Sequence, residues 1–159
     1  MAGDRIYTAG IDNVTIGTAV QDIFYIKAGA ANGVELHYIE LNAGGVTSPT
    51  EIRLRLKRLP VTVTAGSVGT APTMSALDSG DTKTATAVVR ANDTTQSSTS
   101  GTAANLAFFQ WNLLLPFQFL PAPEDRPAIA AAEALVLDLP AALAATVAIS
   151  GFIHWREEP

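Results

Sequence analysis

Residues 51–59 read E-I-R-L-R-L-K-R-L, with Ile52, Leu54 and Leu56 alternating with Arg53, Arg55 and Lys57. A period of two puts three apolar side chains on one face of a strand and three cations on the other. It predicts an antiparallel sheet with one buried and one wet face. Similar short runs recur between turn-forming residues. Residues 6–9 and 14–17 predict two short strands around a Gly10–Ile11–Asp12–Asn13 turn. Residues 22–28 (D-I-F-Y-I-K-A) form a stronger β-branched and aromatic strand. After a Gly/Ala/Asn turn comes 34–41, with Val34, Leu36 and Tyr38 on one face and Glu35 and His37 on the other. The two runs together predict a hairpin.

Pro60 ends the basic strand, and Val61–Thr62–Val63–Thr64 alternates after it. Residues 66–81 predict a long polar loop and 83–91 another strand. Residues 92–104 are almost all small and polar, so they predict an exposed, mobile loop or one ordered only by a neighbouring molecule. Residues 108–115 (F-F-Q-W-N-L-L-L) are the aromatic centre of the chain. Residues 129–139 fit two elements: Pro127 after Asp125 suits a helix start, whereas Leu135–Val136–Leu137–Asp138–Leu139 suits a strand ending at Pro140. The closing strand, 146–156, carries Val147, Ile149, Gly151, Ile153 and Trp155 on one face. Eight or more short strands with at most one short helix predict an all-β fold, an antiparallel β-sandwich of jelly-roll type, as a single domain over residues 1–159.

Composition narrows what such a sandwich does. With 159 residues and 48% apolar content, one domain can build a real core. The absence of cysteine excludes disulfides and thiolate metal sites. The N-terminal residues predict no signal peptide, and the most apolar window, 128–148, is Ala-rich and interrupted by Glu133, Asp138 and Pro140, which argues against a membrane span. A formal net charge of −5 provides no general field for nucleic acid.

Candidate chemistry is sparse. His37 and His154 have no metal-ligand spacing and fall on polar strand faces. No nucleophile elbow or phosphate loop occurs. Glu124–Asp125 and Glu157–Glu158 are adjacent pairs that would point to opposite strand faces. Glu133 and Asp138 sit in apolar sequence, where burial would raise a carboxyl pKa. Asp78–Ser79–Gly80–Asp81 resembles a calcium-loop fragment without the closing bidentate Glu, so an ordinary turn is expected. No cofactor or metal site is expected. The remaining feature is the cationic set Arg53, Arg55, Lys57 and Arg58, four of the ten Lys and Arg residues. Without interleaved aromatics it does not suit nucleic acid. It predicts either a solvated face or a surface docked on another protein subunit.

The order of these features resembles small single-jelly-roll virion proteins of tailed bacteriophages. The resemblance rests on the basic strand, the P-T-M-S-A-L-D-S-G-D loop, F-F-Q-W-N-L-L-L, P-E-D-R-P-A-I, A-L-V-L-D-L and the closing I-S-G-F-I-H-W-R-E-E. It implies a non-enzymatic capsid decoration or cement subunit, a homotrimer assembled in the host cytoplasm and seated on the exterior of the head shell. Its implied partners are further copies of itself and the major capsid protein or another virion protein, with no nucleic acid or membrane. The alternative is a receptor- or carbohydrate-binding module of a head or tail fibre, in which Trp111, Tyr38 or Trp155 would stack on a sugar; the alternation predicts that these aromatics are core instead. A sandwich-fold enzyme is the third reading, with Glu133 or Asp138 as its acid.

Overall fold

The computed structural model describes residues 5–158. The strands in chain order are β1 (Arg5–Ile16), β2 (Gln21–Lys27), β3 (Gly33–Gly44), β4 (Glu51–Leu59), β5 (Val63–Thr64), β6 (Met74–Ala76) and β7 (Val88–Asp93). They continue with β8 (Ser98–Thr99), β9 (Ala104–Asn112), β10 (Phe117–Phe119), β11 (Ala128–Ile129), β12 (Ala134–Leu139) and β13 (Val147–Glu158). One 3₁₀ turn, Pro123–Asp125, is the only helical element among the described residues. The fold is therefore all-β, an antiparallel sandwich of two main sheets. The first sheet runs β10–β3–β13–β1–β6, with β11 also on β3, and the second runs β7–β2–β12–β4–β9.

The apolar faces meet between the sheets. Leu36, Ile39, Leu41, Ile149, Ile153 and Trp155 from one side pack with Phe24, Ile26, Leu54, Leu56, Leu135 and Leu137 from the other. The period of two in β4 holds: Ile52, Leu54 and Leu56 are buried inward. In β13, Ile149, Ile153 and Trp155 are buried as the alternation predicts. Residues 134–139 are a strand, which resolves the ambiguity at 129–139 against helix. Every residue of β12 is buried, because neighbours lie on both its edges and layers cover both its faces. Pro60 and Pro140 each follow the last residue of a strand, as the missing amide donor requires.

Several local expectations are corrected. Strands β2 and β3 form no hairpin, since they lie in different sheets; the Gly/Ala/Asn turn reverses the chain across the sandwich instead of along one edge. The expected turn at Gly10–Asn13 is a bulge within the continuous strand β1. There Asn13 adopts φ 51° and donates its N–H to Ser150 Oγ (2.9 Å), which in turn donates to Asp12 (2.8 Å). A second bulge skips His37, so that Leu36 and Ile39 both point inward and Tyr38 turns to the outer face.

Residues 92–104 are likewise not a free loop. The excursion between β4 and β9 folds back over the outer face of the second sheet through the β5–β8 ladder and bridges Ser67–Thr95 and Thr70–Ala91. Beneath it lies a small second core of Tyr25, Leu59, Ala134 and Val136, with Val63 packed on it. Gly69 permits the close approach, since a Cβ there would run into the Ala91 carbonyl oxygen and Asp93. The stretch 66–81 is similarly tied down, with β6 paired on β1.

Candidate interaction surface

The fold divides the basic run. Arg53 is exposed and lies over the Phe108 ring, 4.3 Å from its centroid, and Arg58 is exposed at the end of β4. Arg55 and Lys57 point outward from the same sheet but face carboxylates beneath the excursion. Arg55 grips Asp138 with two bonds, Nε to Oδ1 at 3.0 Å and a terminal nitrogen to Oδ2 at 2.5 Å. Lys57 is buried, its Nζ 2.8 Å from Asp138 Oδ2 and 3.8 Å from Asp22 Oδ1. Gln96 donates to Asp138 (3.0 Å), and the Ser97 N–H donates to Asp22 Oδ2 (2.7 Å). Both carboxylates are fully buried. Burial pushes the Asp22 carboxyl up from its ordinary value, against the pull of Ser97 and Lys57. Of the four cations, Arg53 and Arg58 are the ones presented at the surface.

Arg53 borders a feature that charge patterning does not reveal. β9 is the outer strand of its sheet, paired only with β4, and β10 is the outermost strand of the other sheet on its path. The rings of Phe109, Phe117 and Phe119 meet edge-on between them, at 5.2 and 5.4 Å. Leu106 and Phe108 stand exposed on β9. The connection to β10 is held rigidly: Trp111 Nε1 donates to the Leu115 carbonyl (2.7 Å), and Asn112 accepts from the Leu114 N–H (3.0 Å). These bonds turn Leu114 and Leu115 outward, Leu115 at 62% exposure. A cleft of about 540 Å³ runs from Phe108 to Gln118 along this side. Leu106, Phe108, Leu114 and Leu115 together make one exposed apolar side, and the unpaired strand edge beside it is a template for another chain. The sequence signal was the L-L-L-P run, apolar where a turn is polar by rule.

The histidines share one place. Both lie on the outer face of the first sheet, in a pocket of about 340 Å³ with Tyr38, Ile6, Leu77, Gln118, Leu120 and Arg126. His154 stacks on Phe152 at 4.8 Å, and Tyr38 lies 5.5 Å from Phe152. His37 Nε2 is 2.7 Å from Glu35, which also meets Arg126 and Arg156. Burial and then the Arg126 charge hold His37 below the ordinary histidine value; burial and then His37 lower His154. Tyr38 is therefore no core residue, whereas Trp111 and Trp155 are buried.

Glu133, Glu157 and Asp78 have structural partners. Glu133 accepts from the Ala130 N–H at a turn, and Glu157 accepts from the amides of Thr86 and Ala87. Asp78 accepts from the Gly80 N–H (2.8 Å), the ordinary Asp/Gly turn expected. Among the described residues no three His, Asp or Glu side chains are grouped to hold a metal ion, and no helix is long and apolar enough to cross a membrane.

No protein-family model matches the chain, and no characterised protein matches it. One solved structure, of the Gx strain of infectious bursal disease virus, aligns with 99% of this chain at 18% identity and a TM-score of 0.15. This chain spans 40% of that one, and likeness at this level carries no argument.

Proposed function

We propose that this protein is a structural, non-enzymatic subunit of a tailed-phage virion, a capsid decoration or cement protein that acts as a homotrimer on the outside of the head shell. The observation that carries the reading is the apolar side formed by β9, β10 and their connection, where Leu106, Phe108, Leu114 and Leu115 stand exposed beside an unpaired strand edge. Its occupant is a second copy of this chain. In a closed ring each subunit presents this side to a different surface of the next, and the chain's own acidic balance supplies carboxylates for Arg53 and Arg58 at the rim. Strands β1 to β4 pass alternately between the sheets, β9 pairs beside β4 in the second, β10, β12 and β13 alternate again, and the first and last strands pair with each other; these features support a jelly-roll wrap. The order of sequence motifs supports the virion assignment. A lattice of such trimers holds through many modest contacts at once.

The test is oligomeric state. Light scattering on the purified chain is expected to give a trimer, and the double variant Phe108→Glu, Leu115→Glu a folded monomer with unchanged circular dichroism. A monomeric wild-type protein sinks the trimer.

A second reading has one observation in its favour. Tyr38, Phe152 and His154 form an aromatic group beside a pocket edged by Gln118 and Arg126, which suits a sugar ring of a receptor glycan. Glycan-array binding abolished by Tyr38→Ala, with the trimer intact, would place the protein on a fibre.

A further inference from the structure

The buried group at Lys57, Asp22 and Asp138 takes no part in the proposed assembly surface, and its arrangement is asymmetric in a chemically specific way. Asp138 is the well-partnered carboxylate: Arg55 holds it with two hydrogen bonds and Gln96 adds a third. Asp22 has no such support. Its Oδ2 accepts one backbone N–H, from Ser97 at 2.7 Å, while its Oδ1 has no hydrogen-bond partner and faces the Lys57 amine at 3.8 Å. Burial pushes this carboxyl toward the neutral acid. The Lys57 side chain is 7% exposed, and the apolar cluster of Tyr25, Leu59, Ala134 and Val136 lies on the same face of the sheet. An amine, a carboxyl pressed toward neutrality and a carboxylate base are thus held together out of water.

We propose that Lys57 and Asp22 condense to an intramolecular isopeptide bond, with Asp138 as the proton carrier. The Lys57 ammonium gives one proton to Asp138, which lies 2.8 Å away. The freed amine attacks Cγ of the protonated Asp22 carboxyl. Negative charge develops on Oδ2, where the Ser97 N–H already points. Asp138 returns its proton to the Oδ1 hydroxyl, which leaves as water, and takes the second proton from nitrogen. One Nζ–Cγ bond forms, one Cγ–Oδ1 bond breaks, and no oxidant or reductant is needed. Asp138 is left holding the proton that the ammonium brought; its release to solvent restores the Arg55–Asp138 pair. Condensation is uphill in dilute water, but fixed neighbours have effective concentrations far beyond solution values, and the apolar cover opposes return of water. The bond also replaces a buried ammonium and a poorly partnered buried carboxyl with one neutral amide. It ties β2 to β4 across β12, strands that share no hydrogen bonds with each other.

The measurement is the intact mass of the full chain under denaturing conditions. The wild-type protein is expected to be lighter than its sequence by one water, and Lys57→Met and Asp22→Ala to have full mass. Trypsin should leave Lys57 uncut and yield a branched peptide joining 6–27 to 56–58; a succinimide also loses water but joins no peptides. Asp138→Ala, shown folded by circular dichroism, should stay at full mass. Folded wild-type protein that keeps its full mass after prolonged incubation overturns the bond, and an Asp138→Ala protein that links as fast as wild type overturns the carrier.

Discussion

At the scale of single residues, neighbours of one chemical type serve opposite purposes. Arg53 and Arg55 are two positions apart on one face of β4, yet only Arg55 reaches a fully buried carboxylate. Removing one partner of a buried ion pair strands the other in low dielectric, a cost of about 3–5 kcal/mol. Truncating an exposed cation costs within about 0.5 kcal/mol. Urea unfolding should therefore find Arg55→Ala destabilised by about 3 kcal/mol, with Arg53→Ala and Arg58→Ala near wild type. Equal small effects at all three positions would show that Asp138 is not held as described. The sequence displays four cations in a row; which two are spent internally depends on Asp22 and Asp138, lone carboxylates 35 and 81 residues from Lys57 in numbering. No local pattern announces that pairing.

Among elements, the legible strands are those whose alternation matches a single buried face. β4 and β13 are of this kind, and both are where the pattern puts them. The reading fails where a bulge shifts the period, as at His37, or where partner choice is non-local, as for β2 and β3. The stretch 92–104 fails for another reason: small polar residues look like a free loop unless Asp22 and Asp138 are known to await them. The outer face beside that bulge has a titratable consequence. It carries both His37 and His154, with Glu35, Arg126 and Arg156 also facing His37, and both histidines are held below the ordinary value of 6.5. Below that value the unfolded chain binds more protons than the folded one, so stability rises with pH across the window and is lost on acidification. The double variant His37→Gln, His154→Gln should show a shallower loss of stability between neutral and mildly acidic pH than wild type. An unchanged slope would assign the acid sensitivity elsewhere.

For the whole molecule, closure is made by the ends of the chain. β13, at the C-terminal end, lies between β1 at the N-terminal end and β3, and pairs along almost its full length with both. The second sheet is assembled in the same non-local manner, β12 bridging β2 and β4. Such pairings must close long loops before they gain any contact, and folding is slow for that reason, on the order of milliseconds to seconds for β-sandwiches. Late pairing also leaves β9, with Leu106 and Phe108 exposed, open to other chains while β13 is still unplaced. Stopped-flow refolding should therefore be slow and become less complete as protein concentration rises. Deleting residues 147–158 should abolish cooperative unfolding altogether, because β1 and β3 both lose their shared neighbour. A truncated chain that still unfolds cooperatively would mean that the first sheet is not built around its last strand.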